Sequence, residues 1–157
     1  MFERFSREAR NVVTAAVAEA ERRGDDHVGT DHLLAGLCAT SDPSISPVGI
    51  GIEELRTIWL GLDRAALEAT GIPIDPPTGM PRSRTGHIPF TSGAKETLTA
   101  TLRETLELGS RKLEPEHILI ALTLRSPRDP AIRLLDAAGL NPDAIRAEVI
   151  RSLRKTA

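Results

Sequence analysis

Two carboxylate–imidazole pairs, Asp31-His32 and Glu116-His117, stand 85 positions apart in this 157-residue chain. A carboxylate next to a histidine could serve acid–base chemistry or ligate a metal. Adjacent residues on a helix point about 100° apart, however, so neither pair is expected to face inward on itself. Each histidine precedes Leu-Leu or Ile-Leu, and the expectation is a buried ring that donates to a backbone carbonyl. The chain has four histidines and one cysteine, with no His-x-x-x-His spacing, so no metal site and no disulfide are expected. Cys38 sits between Leu37 and Ala39 and reads as a small buried hydrophobe. There is no Gly-x-Ser-x-Gly motif to supply a nucleophile, so a hydrolase built on either pair is set aside. No catalytic residue and no cofactor are expected.

The elements that carry the two pairs are themselves repeated. Phe5 to Leu37 aligns without gaps on Phe90 to Leu122, with nine of 33 positions identical, including Ala9/Ala94, Glu19/Glu104, Gly24/Gly109 and His32/His117. Such self-similarity sets the architecture. Two copies are too few for a solenoid and imply two like units packed about a pseudo-twofold axis. In copy one, Ala9, Val12, Val13, Ala16, Val17 and Ala20 form one apolar stripe of a helix from Ser6, its cap, to Arg23, stopped by Gly24. The small residues permit a close helix crossing. Thr30 is expected to cap a second helix, with Asp31 in its first turn and Leu33, Leu34 and Leu37 inward. Ser41 to Pro47 reads as a loop, and the third helix as shortened or absent. Periodicity returns over Ile52 to Thr70, through Leu55, Trp59, Ala66 and Leu67, with Gly61 a possible break. Residues 72–86 hold four prolines and two glycines and read as an extended, exposed linker without helix.

Copy two repeats the plan. Thr91 caps a helix to Leu108, Pro115 opens the next, Pro130 to Ala138 forms the third, and Asn141 caps the last, which runs to about Arg154. No segment alternates with period two. The fold class is therefore all-α: one domain over 1–157, in two pseudo-twofold-related four-helix repeats, about 2–70 and about 87–155. With three Phe, one Trp and no Tyr the core must be aliphatic. The net charge of −2 is spread among mixed signs, which argues against nucleic-acid binding. The one basic stripe, Arg146, Arg151, Arg154 and Lys155, is weak. Charges within the first ten residues exclude a signal-peptide pattern, and no run approaches a membrane span. The expected location is cytoplasmic.

Met1-Phe-Glu-Arg-Phe, Gly29-Thr-Asp-His-Leu-Leu-Ala-Gly-Leu and Gly86-His-Ile-Pro-Phe-Thr, in this order on a duplicated frame, resemble the N-terminal domain of Clp unfoldases of the ClpC type. The resemblance implies a non-enzymatic protein-binding module that receives degradation substrates and adaptors. The sequence contains no Gly-x-x-x-x-Gly-Lys-Ser/Thr loop, so the expectation is a Clp N-domain without ATPase modules, acting as adaptor, decoy or sequestering protein. A piece of a longer unfoldase would read the same way. By the resemblance, Thr30, Asp31 and Glu116 fall where the family recognises phosphorylated arginine. A carboxylate can take two hydrogen bonds from a guanidinium, and a helix N-terminus suits a phosphate. Ordinary first-turn acids that stabilise a helix would look the same. Asp31 is a methylene shorter than the usual Glu, and Glu114-Pro115 replaces the usual Gly-Thr, so copy one is expected to be the better site. Phe2, Val13, His87 and Phe90 fall where the family presents an apolar surface for adaptors and cyclic-peptide antibiotics. An alternative role is thus a decoy for such ligands.

Overall fold

The computed structural model describes residues 2–71 and 87–156. The linker expected over 72–86 lies outside the described residues. Seven α-helices follow in order: α1 (Arg7–Arg23), α2 (Thr30–Thr40), α3 (Ile52–Ala69), α4 (Ser92–Glu107), α5 (Pro115–Thr123), α6 (Pro130–Ala137) and α7 (Pro142–Thr156). Short 3-10 helices cover Phe2–Arg4 and Pro43–Val48. No strand occurs among the described residues.

Helix ends are set by local chemistry. The hydroxyls of Ser6 and Thr91 accept from Ala9 N–H and Ala94 N–H at 3.0 and 3.1 Å. Asn141 accepts from Asp143 N–H and Ala144 N–H. Gly24 and Gly109 follow the first helix of each copy with φ of 74° and 71°, a region a side chain disfavours. On α1, Ala9, Val12, Ala16 and Ala20 are fully buried, while Val13 and Val17 lie at the margin of the core. This stripe meets α2 at Gly36. A Cβ on Gly36 would lie 2.4 Å from the Val12 carbonyl and 3.0 Å from Ala16 N. The anticipated close crossing therefore depends on a bare Cα.

The third helix of copy one, expected as shortened or absent, is the six-residue 3-10 helix Pro43–Val48, started by Asp42, whose carboxylate accepts from Ser44 N–H at 2.8 Å. Two details differ from the sequence expectation. Gly61 does not break α3, which is continuous; an exposed Gly only weakens a helix. Beyond Leu62 that helix leaves the core, so Ala66 and Leu67 are exposed and not inward as their spacing implied.

The two copies interlock. Phe5 pairs with Leu113 and Phe90 with Val28, each as an isolated parallel bridge. These four residues are two equivalent pairs exchanged between copies. Ser6 N–H donates to Leu113 O and Thr91 N–H to Val28 O, at 2.9 and 3.0 Å. The third elements are exchanged as well: α6 of copy two packs on α2 and α3, and the 3-10 helix of copy one packs on α5 and α7. The shared core is aliphatic, with Leu33, Leu34, Leu37, Leu113, Ile118, Leu119 and Leu122 fully buried. Each such side chain contributes about 1.5–3 kcal/mol through removal from water.

Candidate binding sites at the second helix of each copy

The first turn of α2 is built differently from the pattern read in the sequence. Gly29, not Thr30, is the cap residue. Thr30 is the first helical residue, and its buried hydroxyl donates to Asp129 Oδ1 at 2.6 Å across the copy boundary. Asp129 caps α6, accepting from Ala131 N–H at 3.0 Å, and takes Arg125 Nε–H on its other oxygen. Thr30 is thus a tie between copies. It does not cap its own helix, because it already lies inside that helix, and its oxygen accepts instead from Ala131 N–H of α6 at 3.3 Å.

His32 and His117 are buried, as expected, but neither donates to a carbonyl. Each sits at the third helical position and accepts from the cap residue's backbone: Gly29 N–H to His32 Nδ1, and Glu114 N–H to His117 Nδ1, both at 2.9 Å. The orphan amides of the first turn claim the ring nitrogens. The neutral ring must then carry its hydrogen on Nε2. In copy one Nε2 donates to Asp25 Oδ2 at 2.7 Å, and in copy two it meets Ser110 Oγ at 3.2 Å. This tautomer leaves His117 no lone pair with which to activate Ser110, and the ring is 1% exposed, so the pair is not a working nucleophile.

Asp31 and His32 do touch, contrary to the helical-wheel argument. The Asp31 carboxylate curls back so that Oδ1 accepts from His32 N–H at 3.0 Å and lies 3.1 Å from His32 Nδ1. Burial disfavours a charged His32 ring, but the Asp31 and Asp25 carboxylates outweigh it and hold its pKa above the usual 6.5. For His117 burial wins over Glu116 and Glu114, and its pKa falls below 6.5.

Around Asp31 a cavity of about 490 Å³ opens between α2, α3, α6 and the end of α1. Five carboxylates line it, those of Asp25, Asp26, Asp31, Asp63 and Asp129. Against them stands Arg23, whose guanidinium is held by Asp25 and Asp63 at 2.9 and 2.8 Å and lies 3.8 Å over the Trp59 ring. Trp59 also packs on His32, with centroids 5.2 Å apart. Asp31 Oδ2 and the backbone N–H groups of Thr30 and Asp31 have no partner among the described residues. Arg23, Asp25, Trp59, Asp63 and Asp129 were missed in the sequence, because they come from three separate places in the chain. The one available signal was that Asp25 aligns with Ser110, a charge present in one copy only.

Glu116 holds the matching position on α5 but in other surroundings. Its cavity, about 260 Å³, is lined by Pro43, Ser44, Val149, Ser152, Leu153 and Thr156, with Glu116 the one carboxylate on its wall among the described residues. Pro43 and Ser44 there take the place that Pro130 holds at Asp31, as the exchanged third elements require. The sites at Asp31 and Glu116 are therefore separate. Val13 and Phe90 are half-buried against the core and His87 is exposed. They line neither cavity, and the Phe2 side chain lies outside the described residues. On α7, Arg146 and Arg151 are paired with Asp143 and Glu148, which breaks the basic stripe. No group of three or more His, Cys, Asp or Glu is placed to hold a metal ion among the described residues. No described helix is long and apolar enough to cross a membrane.

An all-helical, duplicated and interlocked frame with a cavity beside the second helix of each copy is the fold expected of a Clp-type N-terminal domain, and comparison with known proteins agrees. The sequence model of the family described as Clp repeat (R) N-terminal domain matches residues 89–157. The chain is 35% identical over 156 residues to the chloroplastic chaperone protein ClpC2 of Oryza sativa subsp. japonica, and 36% over 151 to chloroplastic ClpC1 of Arabidopsis thaliana. These alignments cover 99% and 96% of the chain, but the chain spans only about 16% and 15% of those relatives. The crystal structure of the N-terminal domain of ClpD from Arabidopsis thaliana superposes with TM-score 0.76 at 26% identity, covering 98% of this chain and 99% of that one. The Hsp104 N-terminal domain from Candida albicans shares the fold, with TM-score 0.63 at 20% identity over 93% of this chain and 89% of its own. The chain belongs to the Clp repeat N-terminal domains and stands close to those of ClpC.

Proposed function

We propose that the chain is a non-enzymatic module that binds protein substrates or adaptors of a Clp system, and that it reads arginine-phosphate marks through Glu116 and Asp31. The observation that supports this is the equivalent placement of the two acids. Each sits at the second position of a helix and beside a cavity, with the Thr30 and Asp31 amides at the first site and, because Pro115 has no N–H, the Glu116 amide at the second. Guanidinium nitrogens would pair with the carboxylate, and the phosphate would lie toward the helix N-terminus.

The charge around the acids supports a ranking opposite to the sequence expectation. A phosphate entering the Asp31 cavity meets four further carboxylates, of which Asp25 and Asp63 are shared by Arg23 and Asp129 is paired with Arg125. At about 8 Å and an effective dielectric between 40 and 80, each unit pair costs roughly 0.5–1 kcal/mol. The Glu116 cavity carries no further carboxylate on its wall among the described residues, leaving the cap residue Glu114 as the neighbouring charge, and its Ser44, Ser152 and Thr156 hydroxyls are polar and uncharged. Calorimetric titration with free phosphoarginine, with arginine as control, tests the reading. Saturable heat with phosphoarginine only, weakened mainly by Glu116→Ala, is expected. No heat at millimolar ligand would end the mark-reading proposal. Tight binding of a cyclic peptide in its place would favour the decoy role at Phe2, Val13, His87 and Phe90. The location that goes with this reading is cytoplasmic, to be checked by fractionation because the named relatives are chloroplastic.

A further inference from the structure

We propose that Asp25, His32 and Asp31 form a proton-operated switch at the N-terminus of α2, which copy two lacks. The contacts define both positions. With the ring neutral, Nδ1 accepts from Gly29 N–H at 2.9 Å and Nε2–H donates to Asp25 at 2.7 Å. A proton arriving on Nδ1 removes that acceptor. The new N–H finds Asp31 Oδ1 3.1 Å away, while the Gly29 N–H now faces a donor and must turn aside. The two events are linked through close packing, since a Cβ on Gly29 would sit 2.6 Å from the same Asp31 oxygen. Protonation thus exchanges a backbone cap for a side-chain ion pair and draws Asp31 toward the ring.

The groups facing His32 come from every neighbouring element. They are Asp31 on its own helix; Asp25, Asp26 and His27 from the preceding loop; Arg23 from the end of α1; Asp63 and the Trp59 ring from α3; and Asp129 from α6. Arg23 is already engaged by two carboxylates. The balance favours the charged ring. In copy two Ser110 replaces Asp25, and no carboxylate comes within ion-pair distance of His117 among the described residues. The same capping histidine therefore stays neutral there and provides an internal control. The switch does not depend on the mark-reading proposal, because it concerns the helix end and not its ligand.

An NMR titration of the whole chain across neutral pH, following both histidine rings and the backbone amides, tests it. His32 is expected to titrate above 6.5, with the Gly29 amide moving at the same midpoint, and His117 below 6.5. Asp25→Ser, which copies the second repeat, should bring the His32 midpoint down toward that of His117. Asp31→Asn, which leaves Asp25 and its Arg23 pair intact, should lower it as well. A wild-type His32 midpoint at or below 6.5, or a Gly29 amide that stays still while His32 titrates, overturns the proposal.

Discussion

Glu19 offers the most quantitative test of how α1 and α3 are joined. Its carboxylate is only 5% exposed, and it is gripped by Arg22 Nη2 at 2.6 Å and by Arg56 through Nε and Nη2 at 3.1 and 2.9 Å. Burial alone would raise its pKa. Hydrogen bonds and charge from Arg56 and Arg22 reverse this and hold it at about 2, against an ordinary 4.5. At 1.36 kcal/mol per pKa unit that difference is about 3 kcal/mol. Arg22 is half exposed and screened by water, so about 2 kcal/mol is the working figure. Because the folded pKa is depressed, this stability is fully present above 4.5 and is lost as pH falls from 4.5 toward 2. Glu19→Gln keeps the shape but turns one acceptor into a donor facing a guanidinium. Urea denaturation at neutral pH should place the variant about 2 kcal/mol below wild type, and the gap should close on titration to pH 3 and below. A gap that persists unchanged in acid would show that packing, not charge, is at stake. No gap at neutral pH would refute the argument outright.

Other outcomes are expected. Gly36→Ala should cost about 3 kcal/mol, since the new methyl meets the backbone of α1 and no side chain can yield; thermal unfolding reads it. Thr30→Val should cost about 1.5–3 kcal/mol, by removing a buried hydrogen bond to a charged carboxylate while keeping the volume, and should be read by the same unfolding measurement. Glu116→Ala should weaken phosphoarginine binding more than Asp31→Ala does, with the ratio of dissociation constants from calorimetry as the measure.

Much of the frame was legible because it is carried by local rules. Ser6, Thr91, Pro115, Pro130 and Asn141 mark helix starts through their own chemistry, and the Ala-rich stripe of α1 announces a close neighbour. Apart from the local Asp31–His32 contact, the failures share one physical origin, the tertiary surroundings of a residue. Thr30 looked like a cap because it precedes an apolar run, yet Gly29 takes that place and the Thr30 hydroxyl is directed across the copy boundary to Asp129 and Ala131, about a hundred residues away. Asp31 and His32 were expected to diverge because a helical wheel ignores a carboxylate folding back on its own first turn. Ala66 and Leu67 continue a periodic pattern past the point where the core ends. The Asp31 cavity was invisible for the same reason: Arg23, Trp59, Asp63 and Asp129 carry no motif and converge only through the exchange of third elements.

That exchange bears on how the chain acquires its shape. In an ordinary helical protein most pairings are local and form early. Here the second helix of one copy finds its lid in the other, and the ties that close it, such as Thr30 to Asp129, span most of the chain. Chain closure must precede reward, which slows folding relative to other all-helical proteins. Neither half owns a complete interior, so each would present a bare groove to the other. Two identical single-copy chains could satisfy the same arrangement as a symmetric pair, and the present molecule has the form of such a swapped dimer whose subunits became one polypeptide.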